Sequence, residues 1–152
     1  MNKEVLSAME ALCAKREYCV SDIRRKALLK LEGDGEAAEE IVASLVADKF
    51  VDDARYASAF AREKASLQGW GPIKIRFQLR MKGISDADIN AALDDVDTEK
   101  AAARLERLLE TKWKTLREDP QGRLKLIKFA LSRGYDYSEV ERFLTQIVRN
   151  LN

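Results

Sequence analysis

The chain has 152 residues, 46% of them hydrophobic, with 27 Lys+Arg against 26 Asp+Glu and a formal net charge of +1. That suffices for one ordinary domain or a few small repeated units, and the balance argues against a simple nucleic-acid polycation while leaving room for local anion-binding patches. No apolar run approaches the about 18 residues of a membrane span, and with no His at all the commonest general base and metal ligand is missing.

The N-terminal stretch MNKEVLSAMEALCAK is amphipathic, too charged and too brief in its apolar part for a signal peptide, so the cytoplasm is the expected compartment. Cys13 and Cys19 make neither a disulfide framework nor a zinc site. They are expected to be small buried apolar residues. SDIRRKALLKLEGDGE follows, and the recurrence of Leu28 and Leu31 reads as a helix. EGDGE lacks the spacing of an EF-hand loop. From Asp52 to Leu67 the chain opens on acidic residues, which suits a helix N-terminus.

GWGPIKIRFQLRMKGIS, residues 69–85, is the ambiguous segment. Ile73, Ile75, Phe77, Leu79 and Met81 alternate with Lys74, Arg76, Gln78 and Arg80, and period two marks a half-buried strand. The punctuation says otherwise, because Pro72 can open a helix, Gly83 can close it, and Ser85 can cap the next one. We read it as a helix with two apolar stripes. Ile75 and Leu79 form one; Ile73, Phe77 and Met81 form the other, on roughly the opposite side. The preferred reading packs both inside the protein; the alternative turns the second stripe towards a partner.

Beyond it, Asp97–Glu118 carries Ala101, Leu105, Leu108, Leu109, Trp113 and Leu116 on one helical face. DPQGRLKLIKFALSRGY reads as a helix with Leu124, Ile127 and Leu131 in spacing, Pro120 placed to be its first residue, Gly134 at its end and Asp136 as the cap of the next. Val140, Phe143, Leu144, Ile147 and Val148 mark a last helix over residues 139–151.

The segments repeat. Around Gly35, Gly83 and Gly134 the same apolar pattern recurs at offsets of 48 (83 − 35) and 51 (134 − 83). The expected architecture is all-α: tandem three-helix, helix-turn-helix-like units at residues 1–50, 51–96 and 97–152. About nine helices, a longer one and two shorter ones per unit, would stack into an elongated curved array. Charge follows the units. Between Arg55 and Lys82 the only acid is Glu63; the next helix carries Asp86, Asp88, Asp94, Asp95, Asp97 and Glu99 before Lys100. Lys26, Lys74 and Lys125 each stand nine residues before a reference glycine, either a periodic basic track suited to a polyanionic or filamentous partner or ordinary solvated lysines. The acids read as caps and dipole partners, not metal ligands. No G-x-x-x-x-G-K-[ST], G-x-S-x-G or G-x-G-x-x-G motif is present, so a regulator or binding module is expected in place of an enzyme, with no catalytic residue, metal or cofactor.

FVDDARYASAFAREK, residues 50–64, followed by GWGPIKIRFQLRMKGIS resembles the signature of the RecX regulatory proteins. Val51, Asp52, Asp53, Arg55, Tyr56 and Ala57 match its first block. Gly69, Gly71, Ile75, Leu79, Lys82, Gly83 and Ile84 match its second. REYCVSDI, residues 16–23, is similar to the start of the family's first repeat, and the third repeat matches in pattern only. The resemblance implies tandem three-helix repeats and a non-enzymatic modulator of the RecA recombinase. Such a protein would lodge in the groove of the RecA–single-stranded-DNA filament and restrain ATP hydrolysis, strand exchange and co-protease activity, thereby acting on recombination, repair and the SOS response.

On this reading Lys26, Arg55, Arg62, Lys74, Arg76, Arg80, Lys82 and Lys125 contact the filament, while Asp52, Asp53, Tyr56, Ile75, Leu79 and Gly83 are structural. Ile73, Phe77 and Met81 depart from the family's usual polar residues and suggest a lineage-specific contact to the recombinase. The Gly33-Asp34-Gly35 turn is looser than the family's single glycine. The near-neutral charge implies that DNA is met mainly through the filament, with weak direct binding, by a monomer away from membranes. The rival is a stand-alone helix-turn-helix DNA-binding protein; a general helical scaffold for another protein is a more distant third.

Overall fold

The computed structural model describes residues 1–151, with side chains through Asn150; Asn152, the end of the expected third unit, lies outside the described residues. Among the described residues there is no strand and there are nine helices: α1 (Lys3–Lys15), α2 (Val20–Lys30), α3 (Gly35–Ala47), α4 (Asp53–Gln68), α5 (Pro72–Met81), α6 (Asp86–Asp94), α7 (Thr98–Leu116), α8 (Gly122–Ser132) and α9 (Tyr137–Leu151). The alternating segment is α5, so its punctuation prevails over its local period. In the first trio α3 is as long as α1, 13 residues each, and not shorter as expected.

Capping explains most boundaries. The first four amides of a helix lack internal partners, and Asn, Asp or Ser one position upstream can accept from one of them. Asn2 accepts from Val5 at 3.0 Å, Asp34 from Ala37 at 3.1 Å, Asp52 from Arg55 at 3.0 Å, Ser85 from Asp88 at 3.2 Å, Asp97 from Lys100 at 3.0 Å and Asp136 from Glu139 at 2.9 Å. These caps serve α1, α3, α4, α6, α7 and α9. The middle helix of each trio is built differently. Cys19 and Gln121 give α2 and α8 no side-chain cap; α5 opens on Pro72 behind Gly71, whereas Pro120, expected in the same place, lies two residues ahead of α8, which opens on Gly122.

The caps correct the register of the repeat. Asp34, Ser85 and Asp136 are 51 residues apart (85 − 34, 136 − 85), so the offset of 48 read from Gly35 misaligns the first trio. Gly35 is the first residue of α3, and α2 is closed instead by Glu32 at φ 55° and Gly33 at φ 87°. Gly83 at φ 77° and Gly134 at φ 93° close α5 and α8 alone, the left-handed conformation glycine adopts without penalty. Burial places α2 one residue further still: Ile23 and Ala27 stand 52 residues before Ile75 and Leu79 on α5 (75 − 23, 79 − 27), which stand 51 before Leu126 and Ala130 on α8 (126 − 75, 130 − 79), all buried. Leu28, Leu124 and Leu131, taken as periodic apolar positions, are exposed. Lys74 and Lys125 precede their buried neighbours by one position; Asp22, not Lys26, holds that place in α2.

The helices pack as two compact units. One comprises Met1–Ala59 with Leu79–Ala91, around Met9, Ile23, Ala27, Ala38, Ile41, Val42, Leu45 and Val51. The other comprises Phe60–Gln78 and the chain from Ala92 onward, around Leu105, Leu109, Trp113, Leu126, Ala130, Tyr135, Val140, Leu144 and Ile147. Each fully buried Leu or Ile contributes about 1.5–3 kcal/mol. Cys19 is buried and Cys13 half-buried, both as free thiols.

Candidate functional site

The cations singled out in the sequence fall into three environments. Arg55 and Lys82 are tied down. Arg55, in the first turn of α4, sends Nε to both Glu17 oxygens at 2.7 and 3.0 Å. Its terminal nitrogens donate to the carbonyls of Lys49 and Phe50, just past α3, at 3.0 and 3.2 Å. Lys82 Nζ donates to Asp22 Oδ1 at 2.9 Å. Asp22 is the buried acid of this unit, 4% exposed, with Arg25 at 3.4 Å on the same oxygen. Burial pushes the Asp22 carboxyl up, but hydrogen bonds from Lys82 and Cys19, joined by the charges of Lys82 and Arg25, pull further and leave it below the ordinary value. Removing Lys82 would strand the buried Asp22 charge; Arg55, whose pair with Glu17 is exposed, is instead held by hydrogen bonds to Glu17 and to the two carbonyls past α3.

A second group is loosely held. Arg80 meets Asp86 at 3.0 Å with both side chains more than half exposed, and Lys125 meets Asp119 at 2.6 Å. Exposed pairs of this kind are worth about 0–1 kcal/mol and can be exchanged for a partner's acids. Arg62 is exposed and Arg76 half-buried.

The third group lies over aromatic rings. Lys26 Nζ sits 5.5 Å from the centre of the Tyr18 ring, which Arg16 also covers at 4.7 Å. Lys74 Nζ is 4.3 Å from the Trp70 indole, Lys64 Nζ is 5.1 Å from the same ring, and Phe60 meets it edge-on at 6.0 Å. Two ammonium groups on one indole make a cation–π cluster. Lys64 and Trp70 were absent from the sequence-derived site; the signal was a Trp with lysines six residues before and four after it.

Helix α5 carries an exposed apolar stripe. Ile73, Phe77 and Met81 are 56%, 60% and 71% exposed, so the preferred expectation that this stripe packs inside the protein is not met. At 100° per residue Arg76 and Arg80 flank one side of the stripe and Lys74 the other, while Ile75 and Leu79 point the opposite way and are buried. The result is an apolar strip bordered by positive charge. Among the described residues no group of three or more His, Cys, Asp or Glu side chains could hold a metal, and no helix is long and apolar enough to cross a membrane.

Comparison with known proteins meets this geometry. A family model described as RecX, second three-helix domain, matches residues 52–93, and one described as RecX, third three-helix domain, matches residues 99–144. Proteins called "Regulatory protein RecX" are similar along most of the chain. That of Actinobacillus pleuropneumoniae serotype 5b is 31% identical over 137 residues, 88% of this chain and 86% of its own. That of Haemophilus ducreyi is 32% identical over 128 residues, 84% of this chain and 82% of its own. Against the Clostridium tetani protein, 28% identical, the chain spans 57% of the relative's length. A crystal structure of regulatory protein RecX superposes with a TM-score of 0.82 at 26% identity, covering 95% of this chain and 71% of the other. RecX from Lactobacillus salivarius gives 0.80 at 19%, a likeness of fold. The all-α, tandem three-helix reading and the family resemblance are both borne out.

Proposed function

The chain belongs to the RecX family, and on that premise we propose that it is a non-enzymatic cytoplasmic regulator that binds the RecA–single-stranded-DNA filament. Binding restrains the filament's ATP hydrolysis, strand exchange and co-protease activity. The observation that carries the reading is the solvent-facing side of α5, where a strip made by Ile73, Phe77 and Met81 runs between basic side chains inside the family's signature block. A recombinase surface bearing acids around an apolar patch would fit it, with Arg62, Lys74, Arg76 and Arg80 as the principal charge contacts and Lys26 and Lys125 as outlying ones. Arg55 and Lys82 serve the interaction indirectly, by holding α4 and the turn after α5. The three-helix units at 1–50, 51–96 and 97–152 supply the repeated framework, acting as a monomer without a cofactor. DNA is met chiefly through the filament.

The test is single-stranded-DNA-dependent ATP hydrolysis by RecA from the same organism, with the protein titrated in. Suppression below one copy per recombinase is expected. The pair Lys74→Glu, Arg80→Glu should weaken it at least about tenfold, equivalent to about 1.4 kcal/mol, with helicity by circular dichroism unchanged. No suppression at excess would overturn the proposal, and sequence-specific duplex binding without RecA would replace it with the helix-turn-helix reading. Equal suppression by the double variant would remove α5 from the interface.

A further inference from the structure

The sulfur atoms of this chain, in Met1, Met9, Met81, Cys13 and Cys19, stand in unlike surroundings. Met9 is fully buried in the core of the first unit. Cys19 is buried and Cys13 half-buried, and burial pushes both thiols up. Little thiolate is therefore present at neutral pH, and the thiolate is the form an oxidant attacks. Met1 is exposed ahead of α1 and forms no part of the α5 strip.

Met81 differs from all of these. It closes α5 as the most exposed member of the strip, at 71%. A thioether has no proton to lose, so access governs its reactivity. Oxidation turns this flexible apolar side chain into a polar one. A partner surface apolar enough to cover Ile73 and Phe77 would bury the new oxygen without a donor, which costs binding.

We propose that Met81 is an oxidation site at which hydrogen peroxide weakens the chain's hold on its partner. The sulfur lone pair attacks one peroxide oxygen, and the O–O bond breaks as the S–O bond forms. The departing hydroxide takes the hydroxyl proton and leaves as water; sulfur loses two electrons and the peroxide gains them. The modification site stands on exposure alone, while its consequence rests on the reading of α5 as the filament-facing surface.

The test applies peroxide to the full chain alone and removes it with catalase before RecA and single-stranded DNA are added. Peptide mass mapping should find oxygen on Met81 well before Met9. The treated chain should be needed at no less than about five times the concentration for equal suppression of ATP hydrolysis. Methionine sulfoxide reductases of both epimer specificities should restore it. Met81→Leu, compared with its own untreated sample, should lose nothing on treatment, which separates Met81 from Met1 and from the thiols. Met9 oxidised as fast as Met81 would overturn the proposal; so would undiminished suppression by chain oxidised at Met81, or an equal loss in treated Met81→Leu. Should Met81→Leu itself suppress too weakly to compare, the time course decides: a loss of suppression that does not track oxygen on Met81 overturns the site. An untreated chain that never suppresses hydrolysis is a separate outcome, which overturns the regulatory reading and the switch with it.

Discussion

Two joints in this chain do the same job with different chemistry. In the first unit the N-terminus of α2 meets the turn after α5; in the second the N-terminus of α5 meets the turn after α8. The accepting carbonyls, Lys82 O and Arg133 O, stand at equivalent places, 51 residues apart (133 − 82). The first joint is made by side chains. Ser21 Oγ donates to Lys82 O at 2.6 Å, Lys82 Nζ returns to Asp22 at 2.9 Å, and the Val20 amide donates to Asp53 Oδ1 at 2.8 Å. The second is made by backbone. The Gly71 amide donates to Arg133 O at 2.6 Å and the Ile73 amide to Gly134 O at 3.0 Å. A Cβ added to Gly71 would collide with the Gly134 carbonyl, its carbon 2.6 Å away. Either solution satisfies the orphaned amides of a middle helix that has no cap of its own. The glycine solution permits the closest approach and tolerates the least change.

The sharpest way to break this contrast is at the equivalent glycines. Gly83 has φ 77° and open space where a Cβ would go; Gly134 has φ 93° and would place its Cβ against Lys74, with the amide nitrogen 2.5 Å away. Gly83→Ala should therefore cost about 1–2 kcal/mol, the strain of a left-handed residue. Gly134→Ala should cost more than about 3 kcal/mol, because strain and backbone collision add. Urea denaturation of both variants measures this, and equal losses would mean that the second joint gives way without cost.

Lys82→Met probes the side-chain joint more gently. The ammonium side chain is 38% exposed, so solvent screens the pair, and Arg25 remains near Asp22; a loss of about 1–2 kcal/mol at neutral pH is expected. The Asp22 carboxyl is held below its ordinary value of 3.8. Its stabilisation is thus present above that value and lost as pH falls through the lower folded-state pKa. The gap between wild type and variant should close in that acid range. A gap independent of pH would point to lost packing by the lysine stem.

These joints also show what was legible beforehand. Helix starts and stops were, because a cap or a left-handed glycine acts within three or four residues: Pro72, Gly83, Ser85, Gly134 and Asp136 all stand where their chemistry predicted. The first repeat was misaligned because α2 ends through two left-handed residues, one of them Glu32, a conformation no local pattern announces. Arg55 and Lys82 looked unengaged because their acids, Glu17 and Asp22, lie 38 and 60 residues away. The α5 strip was visible as a pattern, but whether a second apolar stripe is covered depends on distant chain. The cluster on Trp70 needed the turn between α4 and α5 to bring Lys64 and Lys74 onto one ring.

The smallest effect belongs to Asp53, and it separates charge from hydrogen bonding in the first joint. Burial raises its carboxyl above the ordinary value, the charges of Asp88 and Asp52 add to this, and the Val20 amide opposes it. A carboxyl raised on folding favours the folded state at low pH, and that advantage is lost as pH rises through the folded-state pKa. At neutral pH the charge is therefore a burden while the acceptor is an asset. Asp53→Asn keeps an acceptor for Val20 and removes the charge, so stability at pH 7 should be unchanged or higher by a few tenths of a kcal/mol, and any gain should vanish in acid. Asp53→Ala removes the acceptor too and should lose about 1 kcal/mol, as the deletion of a helix cap does. Parallel melts of the two variants across pH 3–8 read this directly. If Asn costs as much as Ala, the joint depends on the charge of Asp53 acting on the positive end of α2, and the first joint is electrostatic where the second is steric.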